Sequence, residues 1–178
     1  MSEPTTPPCK LPLAAATPPD AKDPGTWPAA ALAALQAVID RSRASAGQAV
    51  RDTFDHVERR LDAAAFVAFW NGARLKAMAT CGADGTPHVA PVHAEFVDGR
   101  LRSTIYETAV RRRDLQRNPR VSLTTWGPHG AAAIVHGIAR EIPDSLRDTR
   151  PGAGGRPRRT VALEIEVTRI YAMRGRDV

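Results

Sequence analysis

Hydrophobic residues recur at two different spacings along the chain, and the spacing changes near residue 74. Before this point, apolar residues lie three and four positions apart, which is the spacing of one face of an α-helix. After it, apolar and polar residues alternate in short runs separated by turn residues, which is typical of antiparallel strands. The pattern therefore predicts a helical first part followed by a sheet.

The helical part contains three amphipathic segments. The first covers about residues 28–44 and starts next to a proline, which fits the first turn of a helix. The second places Phe54, Val57 and Leu61 on one face, and the third covers residues 62–71 and ends at Gly72. The apolar face of the first segment consists of Leu32, Leu35, Val38 and Ile39.

The alternating runs predict about six antiparallel strands. Asp84-Gly85 and Asp98-Gly99 separate the first three runs, and both dipeptides suit the positive φ angles of type I′ turns. A sheet of this size is expected to close into a barrel. The predicted strands are Leu75–Cys81, Pro87–Val97, Leu101–Tyr106, Arg120–Trp126, Ala131–Ile142 and Val161–Met173.

One charged segment interrupts the sheet. Residues 108–117 have few β-branched side chains, so they are predicted to form a short helix with Thr108 as the N-cap, ended by Asn118-Pro119. Residues 143–159 are rich in Pro, Gly and Arg and are predicted to form a loop.

These elements divide the chain into three regions. Residues 1–27 are predicted to be a flexible tail, because proline is frequent and large apolar residues are almost absent. Residues 28–60 form an N-terminal helical extension, and residues 61–178 form the β-barrel domain. The expected fold class is mainly β with flanking helices, an α+β arrangement.

Composition narrows the class of protein. The chain has 178 residues, of which 43% are hydrophobic and 25% charged, as expected for one folded domain. No apolar run is long enough to span a bilayer, so a membrane protein is not expected. Two distant cysteines, Cys9 and Cys81, suggest neither disulfides nor a zinc site, and no other metal site is indicated. A cytoplasmic location is expected.

The net charge of +6 is concentrated in one place, because residues 111–120 contain five Arg and one Asp. A helix start combined with guanidinium groups favours a phosphate, and Ser103 and Thr104 at the end of the preceding strand would add hydroxyl donors. The run also fits a solvated helix face. A nucleic-acid partner is not expected, because no known nucleic-acid-binding motif accompanies the run.

Two sequence motifs carry a family resemblance. DGTPHVAPV at residues 84–92 and DLQRNPRVSL at residues 114–123 have an order and spacing similar to those of the pyridoxamine 5′-phosphate oxidase-like superfamily of flavin and deazaflavin oxidoreductases. The resemblance spans about residues 61–173. It implies a split β-barrel that binds FMN or the deazaflavin coenzyme F-420 and transfers hydride to or from a small organic substrate.

The resemblance also implies where the cofactor lies. In the family, the cofactor occupies a cleft between the two protomers of a homodimer. Its phosphate would be held by Ser103, Thr104, Arg111 and Arg112, with Arg111 standing where members often have Lys. Its ring would rest on a strand that here consists of His88, Val89, Ala90, Pro91 and Val92.

A second function is also compatible with the sequence. Split barrels of this kind also serve as non-catalytic flavin- or haem-binding proteins, and His88, His93 or His136 could supply an axial ligand. His88 and His93 are an odd number of positions apart on one strand, so they should point to opposite faces and not form a metal pair. No catalytic residue is assigned, and the proton would come from solvent or from a nearby Tyr or His.

Overall fold

The computed structural model describes residues 19–149 and 158–176. Four α-helices flank one antiparallel sheet, which confirms the predicted mainly β fold with flanking helices. No helix in the described ranges is both long enough and apolar enough to cross a membrane. The helices are α1 (Ala29–Ala44), α2 (Gln48–Phe54), α3 (Ala63–Gly72) and α4 (Val110–Arg117).

The sheet contains eight strands in the order β2-β1-β5-β6-β8-β4-β3, with the two-residue strand β7 beside β8. Their number exceeds the predicted six because one predicted strand is divided and β7 is added. The strands are β1 (Lys76–Cys81), β2 (Pro87–Val92), β3 (Ala94–Val97), β4 (Arg100–Tyr106), β5 (Arg120–Trp126), β6 (Ala132–Glu141), β7 (Arg147–Asp148) and β8 (Arg159–Met173).

The divided strand closes the barrel. Residues Pro87–Val97 were predicted as one strand, but they change partners at His93: β2 pairs with β1, and β3 pairs with β4. The two ends of the strand order are therefore consecutive in the chain. As a result, the sheet curls back on itself in the manner of a barrel.

The two predicted tight turns differ from each other. Asp98 and Gly99 have φ angles of 49° and 77°, as a type I′ turn requires. In the other turn only Gly85 has a positive φ, and the connection runs as a longer loop closed by a hydrogen bond from Gly82 N to Thr86 O of 2.8 Å. The Asp84 carboxylate accepts hydrogen bonds from Thr86 N and Oγ1, so it stabilises this loop in place of a type I′ turn.

Helix boundaries follow the prediction with two corrections. The face of Phe54, Val57 and Leu61 is not one helix: α2 ends at Phe54, and only a 3-10 turn follows it at Val57–Arg59. The residue that caps α4 is Ala109 and not Thr108, and it makes no side-chain cap hydrogen bond. The start of α4 therefore keeps backbone N–H groups that no capping side chain satisfies.

The structure also describes part of two segments that the sequence predicts to be irregular. Residues 19–27 of the expected tail form two 3-10 turns, and Trp27 is buried in the core with Nε1 donating to Ala21 O at 2.9 Å. One large aromatic side chain thus anchors the end of a proline-rich segment. Residues 1–18 lie outside the described residues, as do residues 150–157 of the predicted 143–159 loop.

Aromatic side chains build the core between α3 and the sheet. Phe66, Trp70 and Phe96 are fully buried and meet at tilted or edge-to-face angles. Trp70 Nε1 donates to Ala94 O at 3.0 Å, so its polar atom is satisfied. This cluster holds α3 against β3 and fixes the place where the divided strand turns toward β4.

Lys76 is a buried cation at the edge of this cluster. It is only 1% exposed, and its ammonium group donates to Ala73 O at 2.5 Å and lies 5.5 Å from the Trp70 ring centroid. Burial lowers the pKa of Lys76 from 10.5 to about 8, with a smaller opposing effect of Glu95. Between pH 8 and 10.5 the folded chain has therefore lost a proton that the unfolded chain retains, so this group makes stability rise with pH.

We expect Lys76→Met to remove this rise. Urea unfolding should show that Lys76 raises the free energy of unfolding of the wild type by at most about 3 kcal/mol between pH 7.5 and pH 10. The variant should lack this increase. Because the buried charge is gone, the variant should be relatively more stable at pH 7.5. An equal pH dependence of the free energy of unfolding in the wild type and in Lys76→Met would contradict the assignment of Lys76 as a buried ammonium group with a lowered pKa.

Candidate functional site

Strand β2 presents two different faces. Val89 and Pro91 point outward, and Val89 is 67% exposed. His88 and Ala90 point inward and are half-buried, and Val92 is part of the core. His93 is exposed on the outward side, so the two histidines lie on opposite faces as predicted. Of the residues assigned to the ring, Val89 and Pro91 are accessible from outside the barrel, whereas Val92 is not.

His88 connects β2 to helix α4. Its Nδ1 lies 2.8 Å from Asp114 Oδ2, and Thr80, directly opposite His88 on β1, donates to the same oxygen at 2.7 Å. Burial raises the pKa of Asp114, but the hydrogen bonds from His88 and Thr80 outweigh this effect and lower the pKa below its usual value. Asp114 is thus an ionised, buried acceptor. We call Thr80, His88, Arg111 and Asp114 the β2–α4 junction.

The first turn of α4 carries the two arginines assigned to the phosphate, and they differ. Arg111 is half-buried, and its Nε is buried without a hydrogen-bond partner. Arg112 donates through Nε and Nη2 to the carboxylate of Glu141 at 2.7 and 3.0 Å, and this contact lowers the pKa of Glu141. Arg111 therefore has an unsatisfied guanidinium N–H, whereas the charge of Arg112 is already balanced within the chain.

The two hydroxyl residues on β4 also differ. Ser103 is buried, and its hydroxyl donates to His93 O at 2.8 Å, which ties β4 to the point where β2 becomes β3. Thr104 is exposed on the outer face of the strand. Of the two hydroxyls, only that of Thr104 is exposed to a molecule on the outside of the barrel.

The outer face of the sheet beside β2 combines apolar side chains with the small polar Ser122 and Thr124. Val89 on β2 is opposite Ala79 on β1, and Ala79 is opposite Ser122 on β5. Trp126, at the end of β5, is 68% exposed. We call this surface the outer β face; its members are Ala77, Ala79, Val89, Pro91, Ser122, Thr124, Trp126, Ile134 and Ile138.

A cleft of about 570 Å³ adjoins the outer β face. In it, Ser122 Oγ lies 2.7 Å from His136 Nδ1, and burial together with the charge of Arg169 lowers the pKa of His136. The cleft forms because β8 has an extra residue, Thr168, opposite the step from His136 to Gly137. A Cβ at Gly137 would lie 2.6 Å from Glu166 O, so this close approach of two strands requires glycine.

Two aromatic residues at strand ends, Tyr106 and Trp126, could stack on a planar ring. The guanidinium carbon of Arg158 lies 5.1 Å from the centroid of the Tyr106 ring, so one face of this ring is covered by a cation. Trp126 has no aromatic or cationic neighbour among the described residues. Of the two, Trp126 presents the freer ring.

Three residues of the candidate site were not identified from the sequence: Asp114, Thr80 and Glu141. Asp114 lies 26 positions from His88, and Glu141 lies 29 positions from Arg112. No spacing rule connects residues so far apart on different elements. The one signal available in the sequence was Asp114 itself, which is a single acidic residue within a run of five arginines.

The chain was compared with solved structures, and one with a TM-score above 0.5 supports the fold. A conserved hypothetical protein from Mycobacterium tuberculosis is 17% identical, with a TM-score of 0.54 over 66% of this chain and 88% of that chain. An F-420 reductase is 21% identical with a TM-score of 0.44 over 54% and 87% of the two chains. The haem storage protein HutZ from Vibrio cholerae is 12% identical with a TM-score of 0.47 over 61% and 92%. A search of curated proteins found no match.

A family model gives the stronger result, because it matches most of the β domain. The matched residues are 63–174, which run from the start of α3 to the end of β8 and include the whole β2–α4 junction. The resemblance inferred from the motifs is thereby confirmed: the chain belongs to the pyridoxamine 5′-phosphate oxidase family.

Proposed function

We propose that the protein is an oxidoreductase that transfers hydride between a bound FMN or coenzyme F-420 and a small organic substrate. The observation that carries this proposal is the 2.8 Å hydrogen bond between His88 and Asp114. It joins the strand that the family resemblance assigns to the ring to the helix that the charge pattern assigns to the phosphate. This contact between two elements that separate signals pointed to supports the proposal.

The residues at the β2–α4 junction fit a phosphate. A buried guanidinium N–H without a partner costs free energy until an anion reaches it, and Arg111 Nε is such a group. The start of α4 has no side-chain cap, so its backbone N–H groups favour negative charge. We propose that Arg111 and Thr104 hold the phosphate, and that Arg112 contributes mainly by holding α4 to Glu141.

The cofactor would supply the hydride chemistry, and the chain would supply binding, orientation and exclusion of water. Val89 and Pro91 give the ring an apolar support on the outside of the barrel. A ring on this surface would remain wet in a monomer. We therefore propose a homodimer that pairs two outer β faces, so that each protomer covers the cofactor of the other.

An absorption spectrum of the purified protein, followed by titration with FMN and with F-420, tests the proposed function. We expect a flavin spectrum in the protein as purified, or binding of one of the two cofactors when it is added. A Soret band without binding of either cofactor would contradict an oxidoreductase of this class and favour a haem-binding protein.

Arg111→Ala should weaken FMN binding about tenfold to a hundredfold, because a charge-assisted contact to the phosphate is lost. Riboflavin, which has the same ring without a phosphate, should bind the variant and the wild type equally. Isothermal titration of the two ligands measures the difference.

Arg113→Ala is the matched control, because Arg113 is exposed on the same helix and has no ion pair within the described ranges. It should reduce FMN affinity by much less than Arg111→Ala. Equal losses of FMN affinity in the two variants would mean that only the overall charge of the helix matters. Unchanged FMN affinity in Arg111→Ala would contradict the proposal that the phosphate binds at α4.

A further inference from the structure

Two arginines without partners line the cleft that adjoins the outer β face. Arg120 is the first residue of β5, Arg169 lies on β8, and both are exposed. Neither guanidinium group has an ion pair or a hydrogen bond within residues 19–149 and 158–176. No Asp or Glu is among the described residues that line the cleft. The cleft therefore has a positive charge that nothing in its described lining balances.

The positive charge of this cleft acts on His136, which also lines it. Burial is the larger effect and the charge of Arg169 the smaller one, and both lower the pKa of His136 below its ordinary value of 6.5. The neighbouring carboxylate of Glu166 does not belong to the same cleft: Glu166 is opposite Ile138 in the strand register, but it lines a different cleft together with Glu141. His136 is thus a neutral ring at pH 7.5.

The pair of Ser122 and His136 leaves one polar hydrogen unused. The neutral ring has one N–H, and the Ser122 hydroxyl has one O–H. The 2.7 Å hydrogen bond between Ser122 Oγ and His136 Nδ1 uses one of these two hydrogens, whichever tautomer the ring adopts. The other hydrogen, on Oγ or on Nε2, has no acceptor in the described part of the chain. The pair can therefore donate one hydrogen bond to a ligand.

Asn118 adds a further donor to the cleft. Its Oδ1 accepts from Arg120 N at 3.2 Å, which leaves the Nδ2 hydrogens without an acceptor among the described residues. The hydroxyls of Thr80 and Thr168, which also line the cleft, are already used within the chain. The unused polar hydrogens thus come from Arg120, Arg169, Asn118 and the Ser122–His136 pair. A set of donors with two guanidinium groups and no carboxylate favours an anion.

The lining of the cleft is also partly apolar. Ala79 and Ile138 belong to it, and both are half-buried on the outer side of their strands. The volume of about 570 Å³ lies in the range of small-molecule sites, so it leaves room for more than an inorganic ion. An anion with an apolar body would use the cations and the apolar residues together.

Ala79 links the cleft to the surface proposed for the cofactor ring. It is opposite Val89, and paired strands lie about 5 Å apart. We propose that this cleft binds the carboxylate of a small organic acid through Arg120 and Arg169. Resting on the proposed function, the acid is the substrate of the oxidoreductase, with its apolar body toward Ala79 and Val89. The anion site itself does not depend on the cofactor.

Calorimetric titration of the full chain with benzoate, benzamide and inorganic phosphate tests the site. The buffer is kept at pH 7.5 and low salt, because added ions screen exposed guanidinium groups. Benzoate should bind with a dissociation constant of about 1 mM, as expected for a ligand of this size. Benzamide lacks the charge and phosphate lacks the apolar body, so each should bind about tenfold more weakly. Binding of either one as tightly as benzoate would overturn the assignment of a carboxylic acid.

Variants locate the binding of benzoate. Arg120→Gln and Arg169→Gln should each weaken it about fivefold to tenfold, the effect of one charge-assisted contact. Both positions are exposed, so the fold should persist. Arg140→Gln is the matched control, because Arg140 is exposed on β6 but lines the neighbouring cleft with Glu141. It should change the dissociation constant by less than twofold. Unchanged binding in both Arg120→Gln and Arg169→Gln would overturn the site.

The His136 resonances give a second measurement. Benzoate beside Arg169 should raise the pKa of His136, because the carboxylate offsets the charge that lowers this pKa. Arg169→Gln should raise the same pKa without benzoate and should remove the effect of benzoate. A pKa of His136 that benzoate leaves unchanged in the wild type would contradict binding in this cleft.

Failure of the proposed function would look different. If the wild type binds neither FMN nor F-420, but benzoate binding depends on Arg120 and Arg169, the oxidoreductase proposal fails and the anion site is supported. If a cofactor binds and benzoate does not, the anion site is overturned. With cofactor bound, benzoate should also change the absorption spectrum of the cofactor at the same concentrations. Binding of benzoate without a spectral change would contradict the role of the acid as substrate.

Discussion

Trp27→Ala is expected to lower the free energy of unfolding by about 3–5 kcal/mol, the usual cost of removing a large buried aromatic side chain. Trp27 is 6% exposed, is part of the main core cluster, and loses a hydrogen bond to Ala21 O when truncated. Ala21 O also accepts from Asp98 N at 2.8 Å, so the N-terminal turns would detach from the β3–β4 connection as well. Urea unfolding at neutral pH measures the loss.

Val57→Ala is the control for this experiment. Val57 is also apolar and lies in the N-terminal part of the chain, but it is 70% exposed. Its replacement should change stability by less than about 0.5 kcal/mol. If Trp27→Ala has an equally small effect, residues 19–27 contribute no stability, as expected of a flexible tail.

Val89→Asp is expected to convert the proposed homodimer into a monomer and to abolish stoichiometric cofactor binding. The substitution places a charge on the outer β face, where pairing with a second copy would bury it without a partner. Light scattering at low micromolar concentration should give twice the chain mass of 19.2 kDa for the wild type and once that mass for the variant.

Val57→Asp introduces the same charge at an exposed apolar position outside the outer β face and should leave the mass and the cofactor stoichiometry unchanged. A wild type that is monomeric and still binds one cofactor per chain would refute the shared cleft. It would also remove the main support for a ring beside Val89 and Pro91.

Most of the sheet was predictable because its strands alternate between core and surface. Strand β5 has the predicted bounds, and the inner residues of β8, such as Val161, Leu163 and Ile165, are buried at every second position. This period is a direct consequence of strand geometry, so it is visible in the sequence. Helices α1 and α3 were equally visible from their apolar faces.

The division at His93 was not predictable, because the alternation continues through it. Val92 and Ala94 are both buried, and His93 between them is exposed. One uninterrupted strand would show the same alternation. Only the partner strand changes, from β1 to β4. Which strand a segment pairs with depends on the tertiary structure, so the hydrophobic pattern of that segment alone does not reveal it.

The helix and strand of the candidate site were predictable from the sequence, but the contacts between their side chains were not. The positive charge of α4 and the motif around His88 identified the two elements, and the structure makes them neighbours. It could not be foreseen that Glu141 neutralises Arg112, or that Ser103 points into the barrel while Thr104 points out. These outcomes depend on which side chains meet across the fold, and local spacing does not determine that.

Strand β8 has a consequence for the order in which a newly made chain can fold. It lies between β6 and β4 in the sheet, and the N-terminal part of the chain also holds it: Ile170 N donates to Ser42 Oγ of α1, and just after β8 Arg174 O accepts from Arg59 Nε. During synthesis, β4 and β6 leave the ribosome well before their common neighbour does. Until then both strands have an unpaired edge, so the nascent barrel depends on rapid completion, or on chaperones, to avoid pairing with other chains.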